Sequence, residues 1–349
     1  MKKIETHFIK ENIAPIGTKK LLVYNSEGEN IGYLNLGKLR QLRDDKRYSF
    51  ELISDVHIGY DTASNDFQKA LDYADSSDCI FTVITGDLTG SGTDAQLQQY
   101  KDIVDSHSKP VYAMAGNHET VWGYMTDDRM MKYTGHPLCY SFEHDGDVFI
   151  MVGHYGPYHG DGKGWYNYEF VSIDELQWLY ETLEENRNKR CFVFNHVYPY
   201  ESGVGDAERY YNGKYWSEKD GFIGQAYIEL IKHYKNVTLF HGHSHLRLYL
   251  QEIDVKANYS DEVGYRSVHV PSLSVPRDKV ESGSVTYIYA ESEGHIVDVY
   301  DNYIIVNGLD FIDNNNDGNI IPIATYKIDT TLVEIEANTF IDSTGTITI

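Results

Sequence analysis

The sequence predicts an α/β fold in which a mainly parallel sheet is covered by helices, with small β-rich additions at the N- and C-terminal ends. Three observations predict it. Between residues 48 and 118, short apolar runs alternate with amphipathic helical stretches. Each run opens into a polar loop that carries His, Asp or Asn. After residue 245 the alternation gives way to closely spaced strand-like segments.

Taken in order, Leu21–Tyr24 and Ile31–Leu36 flank a turn-rich insert and read as a β-hairpin. Residues 1–47 form a small module or an extra edge on the main domain. Phe50–Ile53 is the first strong strand and runs into Ser54–Gly59. Phe67, Ala70, Leu71 and Ala74 then fall at i, i+3, i+4 and i+7, the apolar stripe of a helix. A strand at Ile80–Ile84 leads to Thr85–Gly90. A helix marked by Leu97, Tyr100 and Val104 follows, and a strand at Val111–Met114 delivers Ala115–Glu119. Tyr140–Val152 reads as a hairpin turning at His144–Asp147. Ser172 and Glu175 have capping-box spacing ahead of a helix that buries Leu176, Leu179 and Leu183. The apolar run Cys191–Phe194 ends in Asn195–His196. A helix over Ala226, Ile228, Leu230 and Ile231 precedes Val237–Phe240, which ends in His241-Gly242-His243-Ser244-His245. Strands are then expected over Leu246–Val255, Arg266–Val270, Ser284–Tyr289, His295–Tyr300 and Tyr303–Val306. The main domain is set at residues 48–313, with a short β-rich extension at 314–349.

Bulk properties exclude several classes of function. Of 349 residues, 41% are apolar, yet no apolar run approaches the length of a membrane span, so a soluble globular protein without a membrane partner is expected. No apolar stretch follows Lys2-Lys3, so no signal peptide is expected, and the location is cytoplasmic or virion- or surface-associated. Three cysteines without CxxC spacing argue against a disulfide framework and a thiolate metal site. A net charge of −23 makes duplex nucleic acid a poor partner, but a metal centre can reverse the field locally for a small anionic substrate. No oligomeric state follows from the sequence.

Five loops each follow an apolar strand and carry ligand-type residues: Asp55 with His57, Asp87, Asn117 with His118, His196, and His243 with His245. Four histidines, two aspartates and an amide oxygen suit two nearby metal ions, which need nitrogen donors, a carboxylate able to bridge, and open positions. With only two negative ligands the centre stays cationic, as a phosphate requires. The His triplet alone reads equally as ordinary hydrogen-bonded histidines, and His241 is left as a non-ligand.

The series Asp55-x-His57, Gly86-Asp87, Gly116-Asn117-His118-Glu119, His196 and Gly242-His243-x-His245 resembles the calcineurin-like metallophosphoesterase superfamily over roughly residues 48–313. The resemblance implies a four-layer fold of two mixed β-sheets sandwiched between helices. It also implies two transition-metal ions (Mn, Fe or Zn). Asp55, His57 and His245 would hold the first ion, Asn117, His196 and His243 the second, and Asp87 would bridge them. A hydroxide bridging the ions would attack phosphorus, with His118 as general acid or phosphate donor. Glu119 would orient His118, or serve in a salt bridge or at a helix N-terminus.

Gly86-Asp87-Leu88-Thr89-Gly90-Ser91-Gly92 lacks the Asp-Arg pair of the superfamily's protein phosphatases, and Glu119 stands where its nucleases usually carry Asp. The pattern is similar to the class III phosphodiesterases, so the expected reaction is hydrolysis of a small or extended phosphodiester. The alternatives are a phosphomonoesterase or nuclease with the same centre, or a phage or cell-surface structural component carrying the domain. Tyrosine-rich stretches at Tyr155–Phe170 and Tyr198–Trp216 are either substrate-facing or ordinary loop packing. Gly160–Gly164 fails the spacing of a P-loop, and Asp313–Gly318 fails that of an EF-hand.

Overall fold

A computed structural model describes residues 20–24, 30–35, 45–122, 125–153, 171–197, 221–248, 259–261, 264–279, 285–287, 291–312 and 324–332. The chain divides into two units, Met1–Asp45 and Lys46–Ile349. In the first, β1 (Lys20–Tyr24) pairs antiparallel with β2 (Asn30–Asn35).

The second unit runs β3 (Tyr48–Ile53), α1 (Ala63–Ser76), β4 (Cys79–Ile84), α2 (Asp94–Asp105) and β5 (Val111–Ala113). A π-helical turn, His118–Trp122, leads to α3 (Asp127–Thr134), β6 (Tyr140–His144), β7 (Asp147–Val152), α4 (Ile173–Glu185) and β8 (Cys191–Asn195). Next come α5 (Gly221–His233), β9 (Val237–His241), β10 (Tyr259–Ser260), β11 (Arg266–His269), β12 (Arg277–Lys279) and β13 (Val285–Tyr287). The described elements end with β14 (Glu293–Val299), β15 (Tyr303–Asp310) and β16 (Ala324–Asp329).

Two mixed six-stranded sheets result. The first has the order β16-β15-β14-β3-β4-β5, parallel through β3, β4 and β5 and antiparallel from β3 outward to β16. The second has the order β10-β11-β9-β8-β7-β6, parallel from β7 through β8 and β9 to β11. Alternation along the strands assigns each face. Phe50 and Leu52 of β3 point into an inter-sheet core with Phe149, Phe192, Phe194 and Phe240, where Phe194 and Phe240 stack at 5.3 Å. Ile53 and Ile84 face the opposite way, onto Phe67, Leu71, Leu97 and Tyr100 of α1 and α2. Val193 and Leu239 of the second sheet meet Leu179 and Leu183 of α4 and Leu230 of α5. The order is helix, sheet, sheet, helix, as the family resemblance implies.

Local chemistry sets the elements as expected. The stripe Phe67, Ala70, Leu71, Ala74 is buried on α1, and the Ser172–Glu175 capping box opens α4 with both reciprocal hydrogen bonds. The turn between β6 and β7 places Asp145 and Gly146 at positive φ, which favours Asp and Gly there. On α2 the stripe is displaced by one residue: Ile103 is buried with Leu97 and Tyr100, and Val104 is half-buried. Of the strand expected over Leu246–Val255, the described part shows an isolated bridge between Leu246 and Arg277. All three cysteines are free thiols. No helix among the described residues is long and apolar enough to cross a membrane.

Candidate metal centre

Parallel strands discharge their loops at one end, and here two sheets do so at the same place. In the first sheet, the C-terminal ends of β3, β4 and β5 release Asp55 and His57, Asp87, and Asn117 with His118. In the second, β8 and β9 release His196, and His243 with His245. The loops are tied by main-chain hydrogen bonds: Asp55 N–H to Gly86 O at 3.0 Å, His57 N–H to Asp87 O at 3.0 Å, and Gly242 N–H to His196 O at 3.0 Å.

The ligand-type atoms collect into two groups sharing one residue. Asp55, His57, Asp87 and His245 offer atoms within 4.8 Å of one another, and so do Asp87, His196 and His243. Asp87 Oδ2 lies 3.2 Å from His196 Nε2 and 3.8 Å from His57 Nε2, while its Oδ1 accepts the His118 N–H at 2.9 Å. Asp55 divides its oxygens similarly. Oδ2 accepts from Ser54 Oγ–H at 2.7 Å and His243 N–H at 3.0 Å. Oδ1 faces His245 Nε2 at 2.9 Å, His57 Nε2 at 3.8 Å and His196 Nε2 at 3.9 Å. Asn117 Oδ1 lies 3.1 Å from His196 Nε2, which brings the amide to the second group.

These residues fit metal ions on donor chemistry. A carbonyl only accepts, so His245 Nδ1 donates to Val275 O at 3.1 Å and His196 Nδ1 donates to Thr85 O at 2.8 Å. In the neutral rings, each Nε2 lone pair then points inward. Burial, with the Arg277 charge, lowers the His245 pKa, and the Asp55 carboxylate, whose Oδ1 faces its Nε2 at 2.9 Å, opposes that fall. His57 Nε2 and His245 Nε2 also meet at 3.2 Å. Nitrogen and carboxylate-oxygen donors of the kinds transition metals prefer thus converge in two adjoining groups.

Electrostatics agree. Burial alone would raise the Asp55 carboxyl, but His245 and His196 hold it well below the usual range. Burial would also raise Asp87, which His196 and His118 keep low. Burial lowers His57 and His243, but at His196 the charges of Asp87 and Asp55 outweigh it and raise the pKa to about 9.

The backbone is bent to this purpose. Among the described residues six non-glycines have positive φ, and five of them are Asp55, His57, Asp87, His243 and His245. Close approach also demands glycine: a Cβ on Gly116 would sit 2.2 Å from Asp87 Oδ1, and one on Gly242 would sit 2.0 Å from Ser54 Oγ and 2.7 Å from Asp55 Oδ2.

The remaining residues separate by position. His118 belongs to neither group; its ring is 21% exposed, its Nδ1 donates to Gly90 O at 2.7 Å, and its Nε2 is 3.7 Å from Asp87 Oδ2. Glu119 does not orient His118 by direct hydrogen bonding: its carboxylate accepts from Thr89 and Gly116. His241 is buried on β9 against Ser267 Oγ and joins neither group. The inward polar groups Ser272 and Ser274, which donate to Asp55 O and Val56 O, were not anticipated, nor was Tyr60, which stacks on His57 at 5.0 Å. Ser-x-Ser in Pro271-Ser272-Leu273-Ser274 was the available signal for the serines. His154, His159, both tyrosine-rich stretches, Gly160–Gly164 and Asp313–Gly318 lie outside the described residues.

Residues 49–247 match the sequence profile of the calcineurin-like phosphoesterases, more than half of the chain. The chain belongs to that family. A probable cyclic nucleotide phosphodiesterase from Synechococcus is 27% identical over 164 residues, which is 47% of this chain and 56% of that relative. Another protein of that description, from Colwellia psychrerythraea, is 23% identical over 202 residues, covering 56% of this chain and 67% of its own. The fold is shared with a dimetal phosphatase from Danio rerio (TM-score 0.56, 14% identity, 82% of this chain and 100% of that one). It is shared also with a purple acid phosphatase from yellow lupin seeds (TM-score 0.53, 13% identity, 81% and 53%). As a calcineurin-like phosphoesterase the chain has the fold and family signature of phosphoric ester hydrolases, and its buried Asp/His cluster fits the dinuclear metals typical of the family.

Proposed function

We propose that this protein is a two-metal phosphodiesterase acting on a small phosphodiester. The observation that carries the reading is the Asp87 carboxylate shared by two ligand groups, buried except for the half-buried His243. Asp55, His57 and His245 would hold one ion, Asn117, His196 and His243 the other, and Asp87 both. Two such ions, transition metals such as Mn, Fe or Zn, supply a water of lowered pKa and neutralise charge on the phosphoryl oxygens.

The chain's own residues do the rest. Ser54 and the His243 N–H hold Asp55 Oδ2, so that Oδ1 stays directed inward. His118, fixed by Gly90 O with its Nδ1–H donated, sets its Nε2 beside Asp87. From there Nε2, when protonated, delivers a proton to the leaving alcohol oxygen, the role of a general acid. A cationic pocket on a chain of net charge −23 favours a compact anion over a long polyanion. Both curated relatives are described as probable cyclic nucleotide phosphodiesterases, which supports a diester substrate.

A panel of phosphodiesters and phosphomonoesters, assayed with Mn²⁺, Fe²⁺, Zn²⁺ and Mg²⁺, tests the proposal. Diester hydrolysis that depends on added metal and exceeds monoester hydrolysis is expected. Absence of hydrolysis under every metal, together with no retained metal, would defeat it and favour a structural role for the domain.

A further inference from the structure

Glu119 is fully buried at the π-helical turn that follows β5, outside both ligand groups. Its carboxylate spans two loops. Oε1 accepts from Thr89 N–H at 2.8 Å and Thr89 Oγ1–H at 2.7 Å, and Oε2 accepts from Gly116 N–H at 3.0 Å. Each anchor lies next to a group that matters to His118. Thr89 precedes Gly90, whose carbonyl receives His118 Nδ1–H at 2.7 Å, and Gly116 opens the segment from which His118 projects. Thr89 Oγ1 also accepts from Gly92 N–H at 2.9 Å, which closes the loop on both sides of Gly90.

We propose that Glu119 is a positioning residue that sets the direction and tautomer of the His118 imidazole by holding the Gly90 carbonyl in place. This rests on the reading of His118 as the proton donor. The inference follows from the acceptor at His118 being a main-chain carbonyl. The peptide carrying that carbonyl is tied by Ser91 N–H to Gln96 Oε1 at 3.0 Å, and the one before it by Gly90 N–H to Ile58 O at 2.9 Å. Glu119 adds the tie on the His118 side, gripping the preceding residue, Thr89, through both main chain and hydroxyl. The same carboxylate grips the main chain at Gly116, so the carbonyl and the imidazole are referred to one buried anchor. Removing it loosens both at once.

The test compares Mn²⁺-loaded wild type, E119A, E119Q, H118A and the double variant E119A/H118A. Diphenyl phosphate, with a poor leaving group, is set beside bis(p-nitrophenyl) phosphate, whose leaving group needs little acid assistance. E119A is expected to lower kcat on diphenyl phosphate by about 10–100-fold, with a smaller loss on the nitrophenyl ester. KM should stay within about threefold, with both metals retained. In the H118A background the same substitution should add no further loss, and E119Q, which keeps an acceptor for Thr89 but sets an amide NH₂ against the Gly116 N–H, should recover part of the activity. In the ¹⁵N spectrum of the same proteins loaded with diamagnetic Zn²⁺, the wild-type His118 Nδ1–H signal should be protected from exchange, lost in E119A and kept in E119Q. Equal losses in both backgrounds, loss of metal, or an unchanged His118 signal in E119A would overturn the inference. If the wild type hydrolyses neither diester, the phosphodiesterase reading falls, while the His118 signal still decides the role of Glu119.

Discussion

Gly242→Ala should disarm the centre through a single methyl group. The φ of Gly242 is one that any residue adopts, so the substitution brings no backbone strain and acts through contact alone. The new Cβ would stand 2.0 Å from Ser54 Oγ and 2.7 Å from Asp55 Oδ2, where ordinary contact begins at 3.4 Å. The serine hydroxyl can rotate aside. The carboxylate cannot, because its two oxygens are one rigid unit and Oδ1 faces three imidazoles, so Asp55 must give by about 0.7 Å. Metal–ligand distances tolerate only about 0.2 Å, so Asp55 would leave the coordination range of its ion. A loss of about 10–100-fold in affinity at the Asp55 site is expected, with the second group weakened less. Metal content after dialysis against buffered Mn²⁺, read together with a metal-free thermal melt, separates this from unfolding. S54A/G242A should recover only part of the affinity, since the 2.7 Å contact with Asp55 remains. Two tightly bound ions in G242A would refute the reasoning.

Three further outcomes are expected. His118→Ala should lower kcat by about 10²–10⁴-fold while metal content stays at the wild-type level, because the ring belongs to neither ligand group; coincident metal loss would show that it is a ligand. Glu51, wholly buried on β3, has its pKa raised by burial from 4.5 to about 8, with Thr82 Oγ1–H as its hydrogen-bond donor. The folded value exceeds the unfolded one, so its contribution to stability is full below about pH 4.5 and fades as pH rises through 8. Relative to E51Q the wild type should then lose up to about 5 kcal/mol across that window, and parallel denaturant-melt curves for the two proteins would contradict this. Chelation should lower the melting temperature reversibly, since ions held at about 100 times their Kd stabilise by about 2.7 kcal/mol; a melt indifferent to EDTA and Mn²⁺ would count against a metal centre.

Much of this architecture was legible because a few local signals carried it. Apolar runs at Phe50–Ile53, Ile80–Ile84 and Cys191–Phe194 became buried strands, and the Phe67–Ala74 stripe became the inner face of α1. The loops after those runs, and after Val111–Ala113 and Val237–His241, supplied every ligand-type residue the sequence singled out, because parallel strands release their loops at one end of a sheet. Less legible was what distance in sequence conceals. β14 lies some 240 residues beyond β3 yet pairs beside it, with His295 opposite Leu52 and Val299 opposite Tyr48, and nothing local to either strand specifies the other. The acceptors that fix the imidazoles were hidden for another reason. Val275 O, Thr85 O and Gly90 O are main-chain atoms, present at every residue and distinguished only by folding.

Backbone conformation bears on whether the centre works or is merely inherited. Left-handed φ at a non-glycine costs roughly 1–2 kcal/mol, and Asp55, His57, Asp87, His243 and His245 all adopt it. Such residues persist only when their surroundings over-determine them. Here the surroundings are the Asp55–Gly86 and His57–Asp87 main-chain bonds, the Ser272 and Ser274 hydroxyls donated to Asp55 O and Val56 O, and a Gly242 with no room for a side chain. Those contacts hold the strained residues in a geometry that gathers carboxylate and imidazole ligand atoms within 4.8 Å of one another. A domain retained only as a scaffold gains nothing from that arrangement, since relaxing any one of these residues would stabilise it. The joint presence of strain, supporting contacts and converging donors therefore weighs toward a centre kept for catalysis.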